Sequence, residues 1–345
     1  MNINPYRRLP RKALWARSVT ANFDAIDMID GGKMICIGEK VVSAGSCFAA
    51  NLVPFLEKSG LTYYRTEPQH AAFQAAEPEN FGYAKFSAAY GNIYTPRQLL
   101  QLLRRARGQF KPVEDRWMGD GLVRDALRPA LKYPSRNNTE FDIITLQHLN
   151  NVLEAFSNAD VFIFTLGLTE AWISNIDGTV YPACPGTIAG KFDPERHVFK
   201  NFSVDEIVED LKSFISELRE INKNIRVILT VSPVPLVATV SGDHALSATT
   251  YSKSVLRVAA EIVRRDVRDV IYFPSYEIIT GPQAPYEYFE PDRRSVTEQG
   301  IATVMRAFLA HCETAAEIVL KEDKIQPTAA SLIEAECEEE MVARG

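Results

Sequence analysis

The chain has 345 residues, of which 46% are hydrophobic and 24% are charged. A chain of this length and composition can bury one large core, and α/β sheets of this size often form a single domain. The formal net charge is −6, and the lysines and arginines are spread along the chain. Because a nucleic-acid-binding domain normally carries a basic face, we expect no nucleic-acid partner.

The first residues, MNINPYRRLPRKALW, carry positive charge but lack the apolar segment of a secretory signal peptide. No apolar run in the sequence reaches the length of a membrane span. The five cysteines form no Cys-x-x-Cys pair, and the five histidines show no metal-ligand spacing such as His-x-x-x-His. These features predict a cytoplasmic protein with free thiols, no membrane span and no metal site.

Residues 1–35 have few periodic signals and predict an arm that lies over the domain. The next segment, KVVSAGSCFAANLVPFLEKSG, predicts a strand to about Ala44, a turn at Gly45 and then a helix. LTYYR predicts a second strand, and TPRQLLQLLRRARG predicts a helix with Thr95 as its N-cap. The mixed sequence of residues 107–140 predicts an irregular cap insertion, after which FDIITLQHLNNVLEAF predicts a helix.

Three continuous apolar runs follow in the second half, ADVFIFTLG, IRVILTVSP and VIYFP, as expected for strands buried on both faces. Capping boxes at Ser203 and Ser295 predict the starts of two of the helices near these strands. Strands that alternate with helices predict an α/β fold with a mostly parallel sheet and helices on both faces, forming one domain over residues 36–322. Residues 323–345 are rich in glutamate and predict a flexible acidic tail.

Ser46 follows the first predicted strand and begins a helix. Ligands of parallel sheets bind beyond the carboxyl ends of the strands, and a helix N-terminus can stabilise an oxyanion. Gly45 permits the tight turn that this position needs, although the segment is not a Gly-x-Ser-x-Gly elbow. A plain helix N-cap would also have a serine here. The sequence leaves open whether Cys47 or Cys184 takes part as a thiol nucleophile.

The letters GSCFA at residues 45–49 are the signature of the GSCFA family, which is related to the SGNH (GDSL-type) hydrolases. The similarity continues in YGNIYTPRQLL, FTLGLTEAW, ILTVSPVP, YSKSVL and YFPSYEI, and it covers roughly residues 40–310. This resemblance implies an SGNH-hydrolase-like fold with three layers, as in flavodoxin.

By resemblance to SGNH enzymes, Ser46 would be the nucleophile, exposed in a cleft. Gly91, beside Asn92, would donate a backbone N–H to the oxyanion. The stretch Gly167-Leu168-Thr169-Glu170 stands where those enzymes have Gly-x-Asn-Asp, so the hydroxyl of Thr169 would replace the amide donor. The simpler alternatives are an ordinary turn at Gly91 and a helix start at Thr169 and Glu170.

The resemblance fails at the acid and base of the triad. SGNH hydrolases supply both from an Asp-x-x-His motif, whereas the matching stretch here retains Asp292 and has Ser295 in place of the histidine. A capping box with Glu298 already explains Ser295. A catalytic base must therefore come from elsewhere, or the chain is not an enzyme.

His244 is the first candidate for the base, because it follows a buried strand through a Pro-rich loop and should reach the same sheet edge as Ser46. Asp292 would then orient it. His197 is the second candidate, and a chain without a histidine base is the third alternative. No motif supports the remaining histidines, which are His70, His148 and His311.

The resemblance thus implies a serine esterase or an O-acyltransferase, whose substrate is a small-molecule or carbohydrate ester such as a glycan precursor. No cofactor is required, and acyl-CoA is a candidate acyl donor if the acceptor is a hydroxyl group. The alternative is a non-catalytic binding or accessory protein that keeps the pocket. The missing Asp-x-x-His favours this alternative, whereas retention of Ser46, Gly91 and Asp292 favours an enzyme.

Overall fold

The computed structural model describes residues 4–21, 23–67, 83, 85–129 and 131–314. The predicted acidic tail at 323–345 and His70 lie outside these ranges.

The helices and strands of the described residues alternate along most of the chain. The helices are α1 (Trp15–Ser18), α2 (Cys47–Ala50), α3 (Val53–Lys58), α4 (Pro96–Ala106), α5 (Asn138–Asn158), α6 (Val204–Ile221), α7 (Ala245–Asp266), α8 (Ser275–Thr280) and α9 (Glu298–Ala310). The strands are β1 (Lys40–Ala44), β2 (Thr62–Tyr63), β3 (Arg116–Gly119), β4 (Leu122–Asp125), β5 (Val161–Leu166), β6 (Glu170–Ser174), β7 (Val180–Tyr181), β8 (His197–Asn201), β9 (Arg226–Val231) and β10 (Val270–Phe273).

Five strands form one parallel sheet in the order β2-β1-β5-β9-β10. Counted along the chain within this sheet, the order is 2-1-3-4-5, which is the flavodoxin-like doubly wound arrangement. The order reverses between β1 and β5, and ligands of such folds bind at that switch point, beyond the carboxyl ends of the strands. The predicted α/β fold with a parallel sheet is confirmed.

Helices cover both faces of this sheet. Because side chains alternate along a strand, Val42 and Phe162 pack in one core cluster with residues of α4, α5, α6 and α7. Val41 and Ile163 point the other way and pack with residues of α3, α8 and α9. Burial on both faces explains why the strand sequences are continuously apolar rather than alternating.

Two smaller antiparallel sheets differ from the sequence expectations. The segment 107–140, predicted to be irregular, contains the hairpin β3–β4. The alternative of a helix start at Thr169 and Glu170 is wrong, because Glu170 begins β6, which pairs with β7 and β8. The ring of Trp172 on β6 packs 6.0 Å from that of Phe199 on β8, and this long-range contact favours a sheet.

Three predicted helix starts can be compared with the structure. Thr95 caps α4, and Ser203 forms the predicted capping box with Glu206 at the start of α6. The capping box at Ser295 is wrong, because α9 begins after Thr297, whose side chain accepts the N–H of Gly300. In the described part of the chain, no helix has the length and apolar character that crossing a bilayer requires.

The turn at Gly45 brings the start of α2 into close contact with β5. Gly45 has φ +152°, and a Cβ at this position would lie 2.6 Å from the Cβ of Ala49 and 2.9 Å from the Cβ of Thr165. Both distances are shorter than any ordinary contact, so a side chain at position 45 would push α2 away from the sheet.

We expect Gly45→Ala to destabilise the protein more than Gly60→Ala. Both glycines have positive φ, so each alanine carries roughly 1 to 2 kcal/mol of backbone strain. Only at position 45 does the new methyl group also overlap with neighbours, which adds about 1 to 3 kcal/mol. Urea unfolding of the two variants measures the difference, and equal losses would contradict the tight contact.

A buried network of charged groups holds the loop that leads to Gly91. Glu67 accepts the backbone N–H of Ala89 at 2.8 Å, and its other close partner is the Nδ1 of His148 at 2.7 Å. Arg128 lies 3.9 Å from Glu67 and donates to Asp125 at 2.7 Å. All four charged or titratable side chains are less than 5% exposed.

The electrostatics of this network keep Glu67 ionised and His148 neutral. Burial opposes ionisation of Glu67, but the hydrogen bond from His148, the Arg128 cation and the backbone N–H of Ala89 outweigh it and lower the pKa of Glu67. Burial and the nearby Arg128 cation lower the pKa of His148. In both cases the unfolded chain binds protons more strongly than the folded one, so the network's contribution to stability is present at neutral pH and is lost as the pH falls.

We expect Glu67→Gln to lower the free energy of unfolding by about 3 to 5 kcal/mol, because it leaves the buried Arg128 without one of its two carboxylates. The matched control is Glu57→Gln, which removes a half-exposed partner of Arg65 and costs about 1 kcal/mol or less. Denaturant unfolding at neutral pH checks both. Similar small effects of the two changes would show that the network contributes little.

Candidate functional site

Ser46 lies directly after β1, at the N-cap position of α2. Its hydroxyl makes no capping hydrogen bond, although a serine here normally accepts one from the first turn of the helix. The Ser46 side chain therefore does not act as a helix cap. Ser46 is only 6% exposed, so the structure buries it more deeply than the open position that we expected.

The segment that carries Gly91 lies across the ends of β1 and β5. The backbone N–H of Ile93 donates to the carbonyl of Gly45 at 2.8 Å. The carbonyl of Tyr94 accepts the N–H groups of Gly167 and Leu168 at 3.0 and 3.1 Å. These bonds bring together the three segments predicted to form the site, those of Ser46, Gly91 and Thr169.

The backbone of this segment needs glycines and is fixed by one glutamine. Gly91 has φ +69°, a left-handed conformation that glycine adopts without strain. Gln98, in the first turn of α4, donates to the carbonyl of Asn92 at 2.8 Å and accepts the N–H of Tyr94 at 2.9 Å. At Gly167 a Cβ would lie 3.1 Å from the carbonyl oxygen of Tyr94, so the backbone segments of Gly167 and Tyr94 lie in close contact there.

Two buried donors in these segments have no partner among the described residues. They are the Nδ2 of Asn92 and the Oγ1 of Thr169, in side chains that are 1% and 0% exposed. The Oδ1 of Asn92 accepts from Lys85 at 3.1 Å, which orients the amide. Buried polar groups are usually hydrogen-bonded, so such donors suit a group that a substrate would bring, such as an oxyanion.

Helix α7 holds the turn after β5 through two residues that the sequence analysis left without a role. The Oγ of Ser252 accepts the N–H of Thr169 at 3.0 Å, and the buried Nζ of Lys253 donates to the carbonyl of Gly167 at 2.6 Å. Both belong to the YSKSVL segment, which entered only as part of the family resemblance. A lysine inside an otherwise apolar helix face was the available signal, since buried lysines are rare.

Glu170 begins β6 and lies at the edge of the same region. Its Oε1 accepts the hydroxyl of Thr239 at 2.8 Å, and partial burial raises the pKa of its carboxyl group. This side chain is therefore partly withdrawn from water.

The predicted pairing of Asp292 with His244 is not formed. His244 is exposed and caps α7, with its Nδ1 accepting the N–H of Leu246 at 3.1 Å. Asp292 closes its own turn by accepting the N–H and the hydroxyl of Ser295 at 2.9 and 2.6 Å. No described hydrogen bond joins either residue to Ser46.

His197, the second candidate for the base, is buried and 2% exposed. Its Nε2 lies 3.2 Å from a carboxylate oxygen of Glu114, and its Nδ1 accepts the N–H of Asp193 at 3.1 Å. Both ring nitrogens are therefore engaged, Nε2 with the insertion that contains Glu114 and Nδ1 with the segment just before β8. A histidine bound in this way has no free nitrogen for proton transfer.

Of the described cysteines, Cys36, Cys184 and Cys312 are free thiols as expected, and Cys47 differs. Cys47 is disulfide-bonded, so its sulfur is not a free nucleophile in this state. Cys184 is a free thiol, but burial raises its pKa, which is the opposite of what a reactive thiolate needs. Within the described ranges, no group of three or more His, Cys, Asp or Glu side chains could hold a metal ion.

Solved structures with distant likeness include three esterases. The first is a mutant of an acetyl esterase with an acetate ion, with 11% sequence identity, a TM-score of 0.33, and coverage of 83% of this chain and 97% of that one. The second is a carbohydrate esterase family 3 protein from Talaromyces cellulolyticus, with 10% identity, a TM-score of 0.35, and coverage of 83% of this chain and 100% of that one. The third is a mutant of Axe2, an acetyl-xylooligosaccharide esterase from Geobacillus Stearmophilus, with 16% identity, a TM-score of 0.32, and coverage of 81% of this chain and 95% of that one. Likenesses this distant say nothing about the activity of this chain.

No curated protein shows significant similarity to the chain. A family model described as the GSCFA family matches residues 40–308, which include β1, the Ser46 turn, the Gly91 segment and all of the parallel sheet. Because this match spans most of the sequence, the chain belongs to the GSCFA family.

Proposed function

We propose that the protein is a serine enzyme that removes an acyl group from an ester, with Ser46 as the nucleophile. One observation carries the proposal: a serine occupies a helix N-cap position at the switch point of the sheet, yet its hydroxyl does not cap the helix. A hydroxyl that is withheld from this structural bond is free to react. The adjacent unpartnered donors of Asn92 and Thr169 support a site built for an anion.

In the proposed reaction, the Oγ of Ser46 attacks the ester carbonyl carbon and forms a new C–O bond, while its proton passes to a base. The carbonyl oxygen becomes an oxyanion, held by the backbone N–H groups of Ser46 and Gly91 and by the side chains of Asn92 and Thr169. Collapse then breaks the bond to the alcohol, which leaves with the proton. Water or another hydroxyl group reverses these steps on the acyl-enzyme and releases the acyl group.

Whether water or a hydroxyl group accepts the acyl group decides between an esterase and an O-acyltransferase. We propose a carbohydrate or other small-molecule ester as the substrate, and acyl-CoA as a donor only in the case of transfer. No step of this chemistry needs a metal or a redox cofactor, because the base and the oxyanion donors move only protons and charge.

Labelling by a serine-directed fluorophosphonate tests the nucleophile. We expect the native protein to be labelled at Ser46 and the Ser46→Ala variant to remain unlabelled while it stays folded, because an ordinary serine hydroxyl is too weak a nucleophile to react. Ser43→Ala is the matched control, since Ser43 is a buried serine on the preceding strand β1 whose hydroxyl bonds to Tyr63. Intact-protein and peptide mass spectrometry locate the label. Equal labelling of native protein and Ser46→Ala would remove Ser46 from the mechanism.

We propose His244 as the base, because its loop joins the carboxyl end of β9 to α7 at the same edge of the sheet as Ser46. Its imidazole would have to leave the capping bond to Leu246 before it accepts the proton of Ser46. Only a group that titrates near neutrality performs both proton transfers well.

Two substitutions separate this role from helix capping. We expect His244→Ala and His244→Asn both to lower turnover of an ester by roughly a hundred- to ten-thousand-fold. Asparagine is a good N-cap, so only the alanine variant should also lose about 1 kcal/mol of stability. Steady-state kinetics and urea unfolding measure the two effects. Full turnover in His244→Asn would limit His244 to capping α7.

The second candidate function is a binding or accessory protein that keeps the pocket without the reaction. The turn closed by Asp292 and Ser295 favours it, because the carboxylate that orients the base in SGNH enzymes is engaged elsewhere. Absence of both fluorophosphonate labelling and ester turnover in folded protein would make it the leading function.

A further inference from the structure

A cavity of about 250 Å³ lies beside the candidate site, at the carboxyl ends of β5 and β9. Two of its lining residues, Tyr94 and Leu168, are the residues whose backbones join the Gly91 segment to the end of β5. Leu168 and Glu170 flank Thr169 in the chain and both line the cavity. The cavity therefore begins within one or two residues of the proposed oxyanion donors.

The cavity wall is mostly hydrocarbon. Its apolar side chains come from the ends of several strands and the loop after β9, and they include Trp172, Tyr181, Ala183, Phe199, Leu236 and Val240. The ring of Trp172 is fixed between Phe199 and Phe192, with ring centres 6.0 and 5.2 Å away. This wall offers a large apolar area to a ligand.

Four of the polar side chains in the wall, those of Thr95, Gln98, Glu170 and Thr239, are already hydrogen-bonded within the protein. Gln98 is bound to the backbone on both sides of its amide, and the hydroxyl of Thr95 caps α4. Glu170 accepts the hydroxyl of Thr239. These four side chains therefore offer few unspent donors and acceptors to a ligand, whereas the rest of the wall is mostly apolar.

We propose that this cavity binds the hydrocarbon chain of the acyl group, so that the enzyme prefers medium-chain acyl esters to acetyl esters. The inference rests on the proposed function at Ser46 and names the acyl part of its substrate. When the carbonyl oxygen lies at the donors of Gly91 and Thr169, the acyl chain continues past Tyr94 and Leu168 into the cavity. A cavity of 150 Å³ holds benzene, so this one has room for roughly eight to ten carbons.

Chain-length kinetics test the preference. With p-nitrophenyl esters of two to twelve carbons, we expect kcat/KM to rise at least tenfold from acetate to octanoate and to stop rising beyond about ten carbons. Each buried methylene group is worth up to about fourfold in binding, so a tenfold rise is a conservative expectation. A flat profile, or one that favours acetate, would overturn the proposal.

Filling the cavity should reverse the preference. Ala183 is 8% exposed and lines the wall, so we expect Ala183→Phe to lower the ratio of octanoate to acetate kcat/KM at least tenfold. The matched control is Ala302→Phe, which adds the same ring on the exposed face of α9 and should leave the ratio unchanged. Phe199→Ala, which enlarges the cavity, should move the optimum to longer chains, and it serves as the test if Ala183→Phe fails to fold. An unchanged ratio in a folded cavity variant would overturn the proposal.

Direct binding separates this inference from the proposed function. By isothermal titration calorimetry, sodium octanoate should bind to the unaltered protein at least tenfold more tightly than sodium acetate, and Ala183→Phe should abolish the difference. If octanoate binds in this way but Ser46 is not labelled, the chain-binding cavity stands and the serine-enzyme proposal falls. If Ser46 is labelled but octanoate binds no better than acetate, the cavity proposal falls and the enzyme stands.

Discussion

The start of α2 is packed against the end of β5 so closely that position 45 has no room for a side chain. This contact decides where β1 ends and which residue follows it at the edge of the sheet. The carbonyl of Gly45 then accepts Ile93, and the carbonyl of Tyr94 accepts the two amides after β5. The close approach at Gly45 and these backbone bonds together hold the three segments that surround Ser46, and Gln98 of α4 and Ser252 and Lys253 of α7 add side-chain bonds to them.

The sequence predicted the elements whose signals are local. Continuous apolar runs identified β5 and β9 because strands buried on both faces have no polar side. The capping box at Ser203 was correct, whereas the same pattern at Ser295 was wrong. The reason is a competing local bond: Asp292 binds the Ser295 hydroxyl, and Thr297, two residues later, caps α9 instead. A pattern of residue types cannot indicate which of two nearby side chains, Ser295 or Thr297, caps the helix.

Features that depend on distant residues could not be predicted in the same way. The sheet of β6, β7 and β8 is set by pairing between residues as far apart as 170 and 201, and the hydrogen bond between Glu67 and His148 joins residues 81 positions apart. The family motifs predicted that the segments of Ser46, Gly91 and Thr169 lie together, because each motif stands at the end of a strand. The predicted pairing of Asp292 with His244 is not formed, because Asp292 is bound to its own turn.

The central pair of the parallel sheet, β1 and β5, has a consequence for how the chain acquires its structure. The backbone N–H of Lys40, at the start of β1, binds Asp160, which lies 120 residues later. A loop of that length must close before the pairing gives any stability, and contacts of this kind slow folding. Until β5 arrives, β1 has only the two-residue strand β2 beside it. During synthesis, β1 therefore has no long partner strand until β5, about 120 residues later, has been made.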